Sequence, residues 1–446
     1  RSIFAEASKM ESFPEVVAEA EAKGWEVQSL LLALQLYDAY LPDPQVGSEP
    51  CEGPKYFVYP PPQALLQRRE ELDASVLTKT LLHAGPEHYL HALAHGPLQC
   101  LFGMYGTEYL FHHFFRSLPC VVQDPSEADF FFVPSYFKCI EVVNFVEQFD
   151  REETEASVLF HQTVDYVTQF GPWFGRRDGS DHIFLFSWGR FPCRLSNWRA
   201  PSRSSIALQV ENNCEDLNSE GPQPTFNRWK DIIIPGHIDQ WRVAELQKWN
   251  LPFQQRDVLL SFHGRHAGNT ESYSKVSVRT QILEELEGLP GVSVGGFIEG
   301  YHELLGQSMF CLAPRGITPW TIHLYVAMLA GCIPIILSDD YEVPFQGIVD
   351  WPSFSLKWPM RSAGRELYAY LVSLDPALMA EMKRRVDENS CWFNYYSSGA
   401  CSPYRAVLRS LEERLKQRPT YVGQWWGPGG LPLPELTGSR AADRHL

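Results

Sequence analysis

Residues 308–345, SMFCLAPRGITPWTIHLYVAMLAGCIPIILSDDYEVPF, leave the chain few folds to choose from. A short apolar run, 308–313, breaks at Pro314-Arg315-Gly316, and a second, 332–337, ends in Ser338-Asp339-Asp340. Between them Thr318 stands where an N-cap belongs, Pro319 suits a first helical position, and Gly331 suits a helix end. Residues 321–330 are apolar almost all round except for His323, which predicts a helix buried between layers. The flanking runs predict fully buried strands, so the stretch is a strand–helix–strand unit of an α/β fold.

That pattern has a chemical consequence. A helix opening at Thr318 and Thr321, behind a loop that carries Arg315 and Gly316, offers free backbone N–H groups, a positive dipole end and a fixed cation. These suit a diphosphate. Glu342, just past the second strand, has only acceptors to offer and suits the two hydroxyls of a ribose. Together they point to a sugar nucleotide; the alternative is an ordinary βαβ unit with a capped helix.

The stretch resembles the C-terminal signature of the exostosin-like glycosyltransferases, glycosyltransferase family 47. The residues that carry the likeness are Phe310-Cys311-Leu312, Pro314, Gly316, Gly331-Cys332-Ile333-Pro334, Ser338-Asp339 and Glu342-Val343-Pro344-Phe345. Inside the helix many members have Arg-Leu-x-Asp-Ala, whereas this chain has His323-Leu324-Tyr325-Val326-Ala327. The departure bears on donor choice and on activity.

A length of 446 residues suits two or three domains. A net charge of −16, from 38 basic and 54 acidic residues, argues against nucleic acid as a partner, so any anion must meet a local basic pocket. No apolar run is long enough to span a membrane. The start at Arg1, without Met or a charged-then-apolar leader, is read as a processed or truncated product. The resemblance implies a lumenal enzyme of the secretory pathway, in the Golgi, normally held by an N-terminal membrane anchor. Ten cysteines lack CxxC or Cys/His metal spacing, and their even number fits disulfides in an oxidising lumen. Cys311 and Cys332, in apolar strand runs, are expected as buried free thiols.

Residues 1–53 read as a stem or linker, with helical content over 14–40. From Pro54, Lys55-Tyr56-Phe57-Val58-Tyr59 opens the part that resembles the family, which continues to about Arg418. Tyr105-Gly106-Thr107-Glu108 begins a helix, and Asp124-Pro125 leads to an aromatic strand, Phe130-Phe131-Phe132-Val133. Glu108, set among aromatics, is expected to fix the helix rather than to catalyse. Asp181-His182, entering the next strand, resemble a family segment and supply the candidate base, Asp181. The competing reading is structural, with Asp181 capping a turn and His182 bonded in the core. Residues 231–236 predict another buried strand, 240–257 the crossing to a second domain, and 257–262 that domain's first strand.

Past that strand, Arg265 follows Gly264 and is placed to meet phosphate at the C-terminal edge of a parallel sheet. Arg279, in the helix that follows, matches an arginine of the family and completes the expected donor set of Arg265, Arg279, Arg315, Gly316, Thr318, Thr321 and Glu342. Helices are predicted over 301–305, 366–374, 378–387 and 404–416. The resemblance implies two Rossmann-like αβα domains facing across a cleft, the GT-B fold: an acceptor domain over 54–240, a nucleotide-sugar domain over 241–400, a helix over 401–418 crossing back, and a flexible tail over 419–446. It implies an inverting transferase that takes a UDP-sugar to a glycan or glycoprotein acceptor, with Arg265 and Arg315 stabilising the leaving group. No Asp-x-Asp triplet lies in a suitable loop, so no metal or other cofactor is expected. A non-catalytic partner subunit of an active transferase is the alternative, and a homo- or heterodimer stays open.

Overall fold

The computed structural model describes residues 51–63, 105–139, 155–188, 202–212, 226–268, 277–398, 401–416, 425–430 and 433. Expectations for 14–40, for the polar loop after Gly268 and for Cys100, Cys193 and Cys214 lie outside the described residues. The chain divides into two compact units: residues 1–210, 225–239 and 414–416, and residues 211–224, 240–413 and 417–446.

The first unit is built on strands β1 (Tyr56–Val58), β2 (Phe130–Phe132), β3 (His182–Phe186), β4 (Ile206–Gln209) and β5 (Ile232–Ile233). They pair in that order and all run parallel. All of β2 to β5 is buried, as continuous aromatic and branched runs require when both faces of a parallel sheet are covered. Helix α1 (Thr107–Ser117) lies between β1 and β2 in sequence, and α2 (Glu155–Gln169) between β2 and β3. Phe131 is wholly buried and stacks on the His182 ring at 4.6 Å.

Glu108, in the first turn of α1, is 1% exposed. One of its oxygens accepts from Lys138 N (3.1 Å) and Ser187 Oγ (2.8 Å), the other from Cys139 N (3.2 Å). It therefore fastens the helix to the segments that follow β2 and β3, a structural role.

Helix α3 (Gln240–Lys248) opens the main run of the second unit. Strand β6 (Val258–His263), helix α4 (Ser277–Leu286), strand β7 (Val292–Gly295), helix α5 (Tyr301–Gln307) and strand β8 (Ser308–Pro314) follow. Then come α6 (His323–Leu329), β9 (Ile333–Leu337), β10 (Leu356–Lys357), α7 (Arg365–Val372), α8 (Pro376–Asn389) and α9 (Pro403–Leu415). The sheet order is β10-β9-β8-β6-β7, all parallel. From β6 the chain goes outward to β7 and returns across β6 to β8, so the connections reverse between β6 and β8. In open α/β sheets ligands bind at such a reversal, beyond the carboxyl ends of the strands.

Arg256 closes the opposite edge of this sheet. Its guanidinium, 3% exposed, donates to the carbonyls of Leu251, Leu305, Ser308 and Ala330 and to Asn250 Oδ1. Gly331 ends α6 in the left-handed region (φ +69°), and a Cβ there would lie 1.9 Å from Asn250 Oδ1, so two constraints demand glycine.

Three expectations need correction. Helix α6 begins at His323, not near Thr318: residues 315–322 form a loop closed by a Gly316 N to Trp320 O bond (3.3 Å), and Thr321 Oγ1 accepts from His323 N (3.4 Å). Cys311 and Cys332 are disulfide-bonded, because the chain entering β9 passes beside the middle of β8. Disulfides also join Cys51 to Cys120 and Cys391 to Cys401, and Cys139 is bonded to a partner outside the described residues. Finally, part of the expected flexible tail is held fast. Trp426 is 3% exposed, bridges antiparallel to Lys357 and donates its indole N–H to Ser355 Oγ at 3.1 Å. Its apolar surface outweighs the Gly and Pro around it.

Helix α9 clusters with the second unit through Glu413, and residues 414–416 with the first. There Arg414 donates to the carbonyls of Lys230 (2.9 Å) and Asp231.

Candidate functional site

Two parallel strands in register end side by side at the reversal. β6 passes through His263 and Gly264 into Arg265, which is exposed; β8 passes through Pro314 into Arg315, which is buried. Arg315 N donates to Leu337 O (3.0 Å), and Gly264 N to Gly295 O (3.1 Å), so each loop begins by borrowing a bond from the neighbouring strand. The two cations thus leave the carboxyl edge of adjacent strands, where an anion would be received.

Arg279 does something other than expected. It is 3% exposed, and its Nε donates to Arg315 O (2.8 Å), Nη1 to Arg265 O (2.8 Å) and Nη2 to Pro314 O (3.0 Å). It grips the backbone of both arginine loops instead of lying open to a ligand. Thr318 and Thr321 are buried in the loop before α6, and neither opens a helix there. With only seven residues, α6 supplies little dipole, and the arginines carry the electrostatics.

His323 opens α6 at the same edge. Its Nδ1 is 2.8 Å from Tyr301 Oη, and a Cβ on Gly264 would come within 2.9 Å of its Nε2, so glycine lets the ring approach the β6 loop. Burial, with Arg279 and Arg242 nearby, pushes its pKa down to about 3, and the ring is neutral at physiological pH.

The acidic loop after β9 is braced from three sides. Lys357, 4% exposed, donates to Asp339 O (3.1 Å) and Tyr341 O (2.8 Å). Burial lowers its pKa to about 8 against the pull of Glu342, Asp339 and Asp340. Asn212 donates to Asp340 O (2.6 Å) and accepts from Glu342 N (3.0 Å), and Trp351 Nε1 donates to Pro344 O (2.7 Å). Phe345, buried, is held at φ +57°, a strained conformation for an aromatic residue that costs about 1 kcal/mol or more. Glu342 is half-buried, and its Oε2 accepts from Gln346 Nε2 at 2.7 Å. The Ser338 hydroxyl, buried just past β9, has no hydrogen-bond partner among the described residues.

The sequence offered no signal for Lys357 or Asn212, which act through backbone carbonyls and amides far along the chain. Ser338 was visible only as part of a motif.

Asp181 is not placed to be a base. It precedes β3, at the amino edge of the first unit's sheet, opposite the edge where parallel sheets bind ligands. Its side chain is almost wholly buried: Oδ1 lies 2.7 Å from His182 Nδ1, and Oδ2 accepts from Arg176 Nη2 at 3.3 Å. Burial pushes its carboxyl up, but His182 and Arg176 outweigh that and hold it below the usual range. His182 is in turn bonded to Tyr59 Oη at 2.9 Å, and burial keeps its pKa low against the pull of Asp181. Asp181 and His182 form a structural pair.

Among the described residues, no group of three or more His, Cys, Asp or Glu side chains is arranged to hold a metal ion, and no helix is long and apolar enough to cross a membrane. The acidic pair after β9 is engaged at Asp339, whose Oδ1 accepts from Met360 N at 3.0 Å.

Comparison with known proteins identifies the family. The sequence profile described as "Exostosin GT47 domain" matches residues 50–374. A probable glucuronoxylan glucuronosyltransferase of Arabidopsis thaliana, IRX7, is 30% identical over 345 residues, covering 72% of this chain and 73% of that protein. A second probable glucuronoxylan glucuronosyltransferase of the same plant is 27% identical over 58% of this chain and 56% of its own length. A probable glucuronosyltransferase of Oryza sativa subsp. japonica is 27% identical over 64% of this chain and 68% of its own. Among solved structures, TarM overlaps 61% of this chain and 60% of its own at a TM-score of 0.31 and 10% identity. Anabaena Alr3699/HepE, solved with UDP and glucose, overlaps 82% of this chain and 100% of its own at 0.32 and 11%. With the profile covering most of its length, and with two parallel-sheet α/β units of the kind that make up the GT-B fold, the chain belongs to the exostosin-like glycosyltransferases, glycosyltransferase family 47.

Proposed function

We propose that the chain is an inverting, metal-independent glycosyltransferase that moves a sugar from a UDP-sugar to a hydroxyl of a glycan or glycoprotein acceptor. The observation that carries the donor half is the pair Arg265 and Arg315, leaving adjacent parallel strands where the connections reverse. A diphosphate seated there accepts from both guanidinium groups. Glu342, braced by its loop, takes the ribose hydroxyls.

In the transfer an acceptor oxygen attacks the anomeric carbon from the face opposite the diphosphate. The new C–O bond forms as the bond to the phosphate oxygen breaks, the electron pair leaves with UDP, and the acceptor proton passes to a base. Charge growing on the leaving group meets the fixed guanidinium groups, whose stabilisation is strongest in the transition state, so no metal is needed for this step. The relatives' names make UDP-glucuronate the first donor to try. The disulfides suit an oxidising lumen, and we assign the enzyme to the Golgi, behind an N-terminal anchor.

Calorimetric titration with UDP and a panel of UDP-sugars, with and without a chelator, tests this reading. Binding that survives chelation, with one sugar preferred and turnover only when acceptor is present, supports it. Binding lost on chelation overturns metal independence. Failure to bind any nucleotide overturns the donor site and leaves the chain a subunit beside an active transferase.

A further inference from the structure

The three carbonyls held by Arg279 belong to Arg265, Pro314 and Arg315, the residues that bear the two loop cations and the last residue of β8. They come from segments 14 and 35 to 36 residues away in the chain, and one planar guanidinium spans both. We propose that Arg279 is the positioning residue of the donor site: it never touches the nucleotide, but locks the β6 and β8 loops together so that Arg265 and Arg315 face one diphosphate. This rests on the donor-site reading above.

Two physical effects follow from the geometry. The fork fixes both loop backbones before any ligand arrives, so the cost of ordering them is not charged against binding. It also gives the negative ends of three carbonyl dipoles a buried cation as partner. The Phe262 ring lies against the guanidinium, its centroid 5.4 Å from the central carbon, and limits the fork's freedom to rotate.

Lysine at this position keeps the charge but has no planar fork, so one ammonium cannot reach both loops with the same geometry. The test measures UDP and uridine binding by calorimetry for the wild type and Arg279→Lys, with thermal unfolding of each. The expected result is a folded variant with a lowered melting point, since buried carbonyls lose a partner, a UDP affinity reduced about ten- to hundredfold, and an unchanged affinity for uridine, which lacks the diphosphate. Arg279→Gln, which retains an amide donor for one loop only, is measured in the same way and serves if the lysine variant does not fold. Equal UDP affinity in a folded variant overturns the proposal, as does a parallel loss for UDP and uridine, which would mark a general structural role. A wild type that binds no nucleoside diphosphate overturns the donor-site reading, and this proposal with it.

Discussion

Glu108 offers a test of how the first unit is held together. Burial pushes its carboxyl up from 4.5 to about 7, against hydrogen bonds from Ser187, Cys139 and Lys138 and the nearby Lys138 charge, which pull it down without compensating. The folded chain therefore binds this proton more tightly than the unfolded chain. The stabilisation is complete below pH 4.5, where both states are protonated, and is lost as the pH rises through the folded value near 7. A shift of this size corresponds to about 3 kcal/mol at about 1.4 kcal/mol per pH unit. Glu108→Gln removes the titration and carries its own constant cost, so the informative quantity is the difference in stability between wild type and variant. Equilibrium urea unfolding at intervals from pH 4.5 to 7.5 should show the wild type losing about 3 kcal/mol relative to Glu108→Gln across that range. A flat difference, or one of opposite sign, refutes the assignment of a buried, proton-binding carboxylate that ties α1 to the segments after β2 and β3.

Other consequences are as direct. Replacing both Cys311 and Cys332 by serine opens a loop of 21 residues and should cost about 3 kcal/mol, read as a lower unfolding midpoint that reductant no longer shifts at this site. Asp181→Asn should lower stability by about 2 kcal/mol while leaving turnover per folded molecule within about threefold of wild type; a loss beyond about a thousandfold with the fold intact would restore Asp181 as the base. Glu342→Ala should weaken UDP binding about tenfold with no change in melting point, and unchanged affinity would remove Glu342 from the ribose site.

Much of the second unit is legible in the sequence because its signals are local. Buried apolar runs mark β6, β8 and β9, and Gly331 announces the end of α6 at the residue where the backbone turns left-handed; the half-buried edge strand β7 carries no such run and is not predicted. The start of that helix is not legible. Thr318-Pro319 has the chemistry of a cap, but both residues are buried in a loop whose closure by Gly316 and Trp320 depends on how β8 leaves the sheet. Cys311 and Cys332 defeat a sequence reading for a related reason: an apolar run is equally hospitable to two thiols and to one disulfide, and only the strand register decides. Arg279 shows the same limit within the site. An arginine near the start of a helix has no sequence feature that says whether it meets a ligand or a pair of carbonyls from two distant loops. Asp181 lies within a segment that resembles the family, yet it stands at the amino edge of its strand, and edge is a property of the sheet.

The donor site stands on the reversal between β6 and β8 holding a nucleoside diphosphate. A crystal structure of the chain soaked with UDP would decide that at the level of atoms. We expect the two phosphates within hydrogen-bond distance of the Arg265 and Arg315 side chains, the ribose hydroxyls on Glu342, and Arg279 still bound to the three loop carbonyls. UDP seated elsewhere, or phosphates bound by neither arginine, would show the donor site to be wrongly placed.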